Sequence, residues 1–336
     1  MRYFCIEKDL NIDALMQREK PVPTPGHGQV LVRIRAASLN YRDLLVVSGS
    51  YSRNLPFPLI PLSDGAGEVV EIGQGVRRWK PGDRVVGTFF QEWDAGGITA
   101  EAPKSAMGGA IDGVLAEYAL FREGGLVRLP ANLTFEEGAT LPCAALTAWH
   151  CLQSGSMTCG QSVLTLGTGG VSLFAFQFAC AAGARVIATT GSKAKAEQLR
   201  QMGCADVINY KTEPDWEKRV LELTGGQGVD LVVEVGGAGT LGKSLKAVRL
   251  GGHISLVGVL AVTGDVNTLP AIMKNIRIQG IFVGNREMFE AMNRAIELHD
   301  IHPVIDRVFS FDEAKEAYHY LLSGAHFGKV VISFPY

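Results

Sequence analysis

The stretch that most constrains this chain is Ser162–Gly191, SVLTLGTGGVSLFAFQFACAAGARVIATTG. Ser162–Leu166 is a short apolar run that ends in the glycine cluster Gly167-Thr168-Gly169-Gly170. From Val171 to Ala182 the residues turn small and apolar, as a buried helix requires, and Arg185–Thr189 reads as a second strand. Strand, glycine turn, helix and strand make a βαβ unit whose helix N-terminus points free N–H groups at whatever lies in the turn. Gly167 permits the tight turn, and Gly169 allows the backbone to approach a pyrophosphate. The third fingerprint position is Ser172, still small enough for close helix–strand packing. The reading is a dinucleotide site, because the glycines stand in the strand-to-helix context that the motif needs.

A chain of 336 residues is long for one core and points to two domains. Net charge of −2 gives no basic field for nucleic acid or anionic lipid. No apolar run is long enough to span a membrane, since even Ser162–Thr190 is interrupted by glycines and an arginine. The N-terminus lacks the apolar core of a signal peptide. The cysteines at 5, 143, 151, 159, 180 and 204 show no CxxC pair, so they read as reduced thiols of a cytoplasmic protein.

Before residue 127 the chain is rich in short β-like runs: Gln29–Ala36, Gly65–Ile72, Arg84–Phe89 and Leu115–Phe121. This first domain reads as mostly β. Phe90–Gly113 is a long glycine-rich loop, either a functional cover or mobile. Thr134, with Glu137 three residues on, signals the start of a helix through about Leu152. From Ser162 strands alternate with helices: Val163–Leu166, Val186–Thr189, Val207–Tyr210, Leu231–Val235, His253–Val257 and Arg277–Phe282. That alternation predicts an α/β, doubly wound parallel sheet. The tail reads as two amphipathic helices and a closing strand, Lys329–Ser333, returning to the first domain.

Asn40-Tyr41-Arg42-Asp43, Gly65-Ala66-Gly67-Glu68-Val69, Pro81-Gly82-Asp83-Arg84-Val85, Leu166–Val171 and His326-Phe327-Gly328-Lys329-Val330-Val331 stand in a telling order. With these markers the whole chain resembles the zinc-independent side of the medium-chain dehydrogenase/reductase superfamily, which includes quinone oxidoreductases and alcohol dehydrogenase-like proteins. The resemblance implies a GroES-like catalytic domain (1–127, with 301–336 returning to it) and a Rossmann domain (128–300). It also implies an active site in the cleft and homodimers through the Rossmann domains.

Zinc-dependent members place their ligands in a Cys, a His-Glu pair and a later Cys. Those positions look like Asn40, Ser63-Asp64 and Cys143, so only the last ligand is kept. Zinc needs about three protein ligands and an open position, which this set does not supply. His150 stands two turns from Cys143, about 10 Å along a regular helix. Cys143 therefore reads as a small wall residue, and the expectation is no metal.

The second strand of the βαβ unit ends in Thr190 where an NAD-preferring fold carries an acid. Gly191, Ser192 and Lys195 follow, which suits a 2′-phosphate; the resemblance adds Tyr210 to that phosphate site. The expected cofactor is NADP(H). The remaining expected contacts are Thr147, Gly167, Thr168, Gly169, Gly170, Val171, Gly236, Val257, Gly258, Val259, Phe282 and Val283, with Lys329 from the resemblance. Without zinc, hydrogen-bond donors must steady a developing oxyanion. Asn40 and Tyr51 match polar active-site positions of the zinc-free relatives, and Tyr41 is a third candidate. The expected activity is hydride transfer between nicotinamide and a small carbonyl, quinone or activated alkene. A zinc-dependent alcohol dehydrogenase with altered ligands and an idle NADPH-binding sensor are the alternatives.

Overall fold

The structure is a computed structural model and describes residues 1–7, 9–52, 55–258 and 263–335. The chain forms two compact units, Met1–Leu146 with Val283–Tyr336, and Thr147–Phe282. The divisions between these units fall at 146/147 and 282/283, whereas the resemblance implies domain bounds at 127/128 and 300/301. Residues 128–146 stay with the first unit because Phe135–Gly138 packs on the strands Gln29–Leu39 and Asp64–Ile72.

The contiguous unit is built on a six-stranded parallel sheet. Its strands lie in the order Asp206–Asn209, Arg185–Thr190, Ser162–Leu166, Val229–Glu234, Val248–Leu256, Arg277–Gly280. This is the doubly wound order, with the first strand of the unit in the middle and the chain winding outward to either side. The central strands are apolar along their length because helices cover both faces. Leu164, Leu166, Ile187, Ile208, Val232 and Ile254 are buried in one core with Trp216 and Val220 from the helix Trp216–Leu223.

The other unit is a mostly antiparallel sheet organised around Gln29–Leu39, eleven residues that pair with three neighbours. Asp64–Ile72 lies on one side and Tyr118–Arg122 also pairs with it. On the other side the late strand Lys329–Ser333 pairs antiparallel, with Val330 opposite Leu39. Ile305–Ser310 then adds parallel to that strand. The register sets residue 329 beside residue 40, although 289 positions separate them in sequence.

One expected helix is broken. Thr134 and Glu137 do form the reciprocal cap, with Thr134 N–H donating to Glu137 Oε2 at 2.8 Å. The α-helix nevertheless ends at Gly138, Leu141–Ala145 is a wider π turn, and Leu146–Ser154 resumes the α-helix. Pro142 removes one backbone donor from this segment. Cys143 N–H donates to Asp64 Oδ2 at 3.1 Å. The regular-helix spacing of Cys143 and His150 therefore does not apply.

The loop Phe90–Gly113 is packed. Trp93 and Met107 are buried, Ala102–Ser105 makes a 3₁₀ turn, and Arg42 Nη1 donates to Met107 O at 2.7 Å.

Candidate active site

In the contiguous unit the strand Ser162–Leu166 runs straight into the glycine turn. Gly167 has φ +76, a left-handed backbone that favours glycine, and its N–H donates to Thr189 O at 2.9 Å. Gly169 is the N-cap of the helix Gly170–Ala181 and makes no side-chain cap bond. A Cβ at Gly167 or Gly169 would meet nothing within 4 Å, so open space stands over the turn. Ser172, the third fingerprint position, is buried and donates from Oγ to Leu166 O at 2.7 Å, binding helix to strand. The site has room for a pyrophosphate facing uncapped N–H groups, which is what a dinucleotide requires. Thr168 is buried beside them, and Val171 lies in the first turn of the helix.

The neighbouring strand ends at the buried Thr190. Ser192 caps the next helix, Lys193–Gln201, accepting from Lys195 N–H at 3.4 Å. A Cβ on Gly191 would lie 2.6 Å from Tyr210 Oη, so the backbone here runs close against the exposed phenol ring. Gly191, Ser192, Lys195 and Tyr210 thus share one corner of the unit.

At the next strand end, Glu234 organises the turn that carries Gly236. Its carboxylate is fully buried and accepts from Gly236 N–H at 2.8 Å, Gly237 N–H at 3.1 Å, Thr240 Oγ1 and Ser244 Oγ. Its backbone carbonyl accepts from Val257 and Gly258 N–H. Sequence reading missed Glu234; an acid at the buried end of a parallel strand was the available signal. Thr147 is buried at the start of Leu146–Ser154, and Phe282 is exposed. Val283 takes a left-handed backbone, φ +53, and belongs to the first unit. Val259 lies outside the described residues.

The first unit gathers the expected catalytic groups around the start of the helix Tyr41–Val47. Asn40 is its N-cap residue and is buried; Tyr41 is half-exposed. Asp43 Oδ2 accepts from Asn40 N–H at 2.8 Å. Lys329 is expected at the cofactor by resemblance. It belongs to this unit, where Nζ donates to Asn40 Oδ1 at 2.5 Å and to Leu39 O at 2.6 Å. Asp64, fully buried, accepts from Ser63 Oγ at 2.6 Å and from Cys143 N–H. The Tyr51 ring lies 4.8 Å from the Arg42 guanidinium, which also covers Phe89 at 4.8 Å.

Burial pushes the Asp64 and Asp43 carboxyls up, Asp43 to about 6, while Lys329 and Arg42 respectively pull them back. Burial draws the Lys329 ammonium down, and Asp64 first, then Cys143 and Asp43, hold it up. The result is a buried cation hydrogen-bonded to a carboxamide and compensated by two carboxylates.

The zinc-binding dehydrogenase family model matches residues 170–297, and the alcohol dehydrogenase GroES-like domain model matches residues 26–131. A zinc-type alcohol dehydrogenase-like protein of Schizosaccharomyces pombe is 45% identical, with 99% of each chain covered. The chain belongs to the medium-chain dehydrogenase/reductase superfamily. The rat quinone oxidoreductase of Rattus norvegicus is 30% identical over 94% of this chain and 92% of its own. A crystal structure of an NAD-dependent alcohol dehydrogenase is 33% identical, covers 99% of both chains and superposes with a TM-score of 0.90. As a medium-chain dehydrogenase/reductase the chain is an oxidoreductase of a nicotinamide-dependent family, with the Rossmann-like and GroES-like sheets just described.

Within this superfamily member the metal positions carry a different chemistry. Asn40, Ser63-Asp64 and Cys143, the positions that look like zinc ligands, do come together, but around the Lys329 ammonium. Burial first, and then Asp64, drives the Cys143 thiol far above its ordinary range. Among the described residues no group of three or more His, Cys, Asp or Glu side chains could hold a metal ion. A carboxamide, a serine, one carboxylate and one thiol around a resident cation are a poor fit for zinc, which needs about three protein ligands.

Proposed function

We propose that this protein is an NADP(H)-dependent reductase that moves hydride between nicotinamide and a small carbonyl, quinone or activated alkene without zinc. The observation that carries the reading is the corner at Thr190. It carries Thr190 where an acid would stand, Gly191 makes room for the Tyr210 phenol, and Ser192 and Lys195 open the next helix. A 2′-phosphate there meets a cation and hydroxyl donors. The bound nicotinamide supplies the hydride. The chain's own part is to hold the pyrophosphate on the N-terminus of Gly170–Ala181 and to steady the substrate oxygen. Asn40 is the donor proposed for that oxygen, with Tyr51 and Tyr41 as further phenol donors; such donors are worth most where charge develops out of water.

The exposed outer strand Arg277–Gly280 supports edge-to-edge pairing of two copies. The free cysteines support a reducing compartment, the cytoplasm, and no helix among the described residues is long and apolar enough to cross a membrane.

The test is fluorescence titration of the purified protein with NADPH and with NADH, repeated in Lys195→Ala. NADPH binding at least ~10-fold tighter than NADH, lost selectively in the variant, is expected for one charge-assisted phosphate contact. Equal binding, or the NAD preference of the solved relative, sinks the cofactor choice.

A further inference from the structure

The strand Lys329–Ser333 delivers its first side chain to a place with one remaining use. Gly328 before it has φ +92, and a Cβ there would meet Val304 O at 2.3 Å, so the chain enters the strand through a position reserved for glycine. The register then drops the Lys329 side chain onto Leu39 and Asn40. Lys329 is 3% exposed. A buried ammonium persists only when it is paired and hydrogen-bonded, and here Asp64 and Asp43 supply the charge while Asn40 Oδ1 and Leu39 O accept its protons.

An ammonium can only donate. The atom of Asn40 that faces it must therefore be the oxygen, which fixes an amide orientation that is otherwise ambiguous. The N–H2 group is turned the other way. It leans toward Asp64, near enough to help hold that carboxyl down, yet Nδ2 has no acceptor in hydrogen-bond geometry among the described residues. A buried donor left unengaged is costly and uncommon. Nδ2 is itself fully buried, so an oxygen brought to it would supply the missing acceptor.

We propose that Lys329 takes the place of the metal cation at this site and acts as a positioning residue. It locks the Asn40 carboxamide with its oxygen inward, so that the amide N–H2 is the donor offered to the substrate oxygen. The inference rests on Asn40 being that donor.

The experiment compares wild type, Asn40→Ala, Lys329→Met and the double variant with NADPH and 9,10-phenanthrenequinone. Asn-selective ¹⁵N labelling of each protein follows the side-chain amide protons. Removing one preorganised donor lowers kcat about 10²–10³-fold. Asn40→Ala and Lys329→Met are each expected to lose kcat in that manner with KM for NADPH nearly unchanged, and the double variant to lose no more than the worse single one. In the coenzyme-free protein the Asn40 N–H2 pair, identified by its loss in Asn40→Ala, should be two separated signals that broaden or merge in Lys329→Met. An unimpaired Lys329→Met beside an impaired Asn40→Ala overturns the positioning role and leaves the donor reading standing. So do losses that multiply, or an Asn40 amide signal blind to residue 329. An unimpaired Asn40→Ala overturns the donor reading, and the proposal falls with it. One zinc per chain in the purified protein, abolished by Cys143→Ser, overturns the claim that the ammonium holds the cation's place. Should Lys329→Met fail to fold, Lys329→Gln is used, with the same non-additivity expected.

Discussion

Asp43 shows how finely single residues of this site are balanced. Burial raises its carboxyl from an ordinary 3.8 to about 6, against the pull of Arg42 and the Asn40 N–H. The folded protein therefore binds the proton more tightly than the unfolded chain does. That contribution to stability is fully present below about pH 4, the unfolded value, and is lost as pH rises through about 6. Denaturant midpoints taken between pH 4 and 7 should fall more steeply in wild type than in Asp43→Asn, the difference reaching about 2 kcal/mol. Parallel curves would refute the shift. The types of these residues were readable in the sequence. The partner of Asn40 was not, because Lys329 reaches it from 289 residues away through a strand register that no local pattern encodes.

Among the elements, the βαβ unit was legible because its signal is local: apolar strand, glycine turn, small-residue helix. The strands Arg2–Cys5, Met16–Glu19 and Ile305–Ser310 were not, since they are short, with no apolar alternation to betray them. The helix expected through Leu152 was misread for another reason: its cap is genuine, but Asp64 draws the Cys143 N–H out of the helical ladder. The loop Phe90–Gly113 is held by side chains from elsewhere, Asn285 and Arg286 at 94–96 and Arg42 at Met107. Arg42 is 8% exposed, stacks on Tyr51 and Phe89, and donates to Met107 O. Gly109 leaves room for its guanidinium, as a Cβ there would sit 2.1 Å from Nη2. Arg42→Met should cost about 2–4 kcal/mol, since it strands the Met107 carbonyl and the Asp43 charge. Limited proteolysis should then cut within 90–113 sooner than in wild type; an unchanged melting temperature and cutting pattern would refute this bracing.

For the whole molecule, the two units differ in how the chain builds them. Thr147–Phe282 is one continuous segment of alternating strands and helices, whereas the other unit joins Met1–Leu146 to Val283–Tyr336. Long-range pairing forms late because loop closure must come before its contacts stabilise anything. Pulse-labelled hydrogen exchange during refolding should protect Ser162–Leu166 and Val229–Glu234 before Gln29–Leu39 gains its bonds to Lys329–Ser333. Simultaneous protection of all four strands would count against it. The order matters most for a chain leaving the ribosome. Asn40 and both aspartates emerge early, and the glycine turn soon after, while the lysine that completes their cluster comes only with the strand at 329–333. A message cut short before that codon would yield a chain that carries the glycine turn yet misses the charge its own site was shaped around.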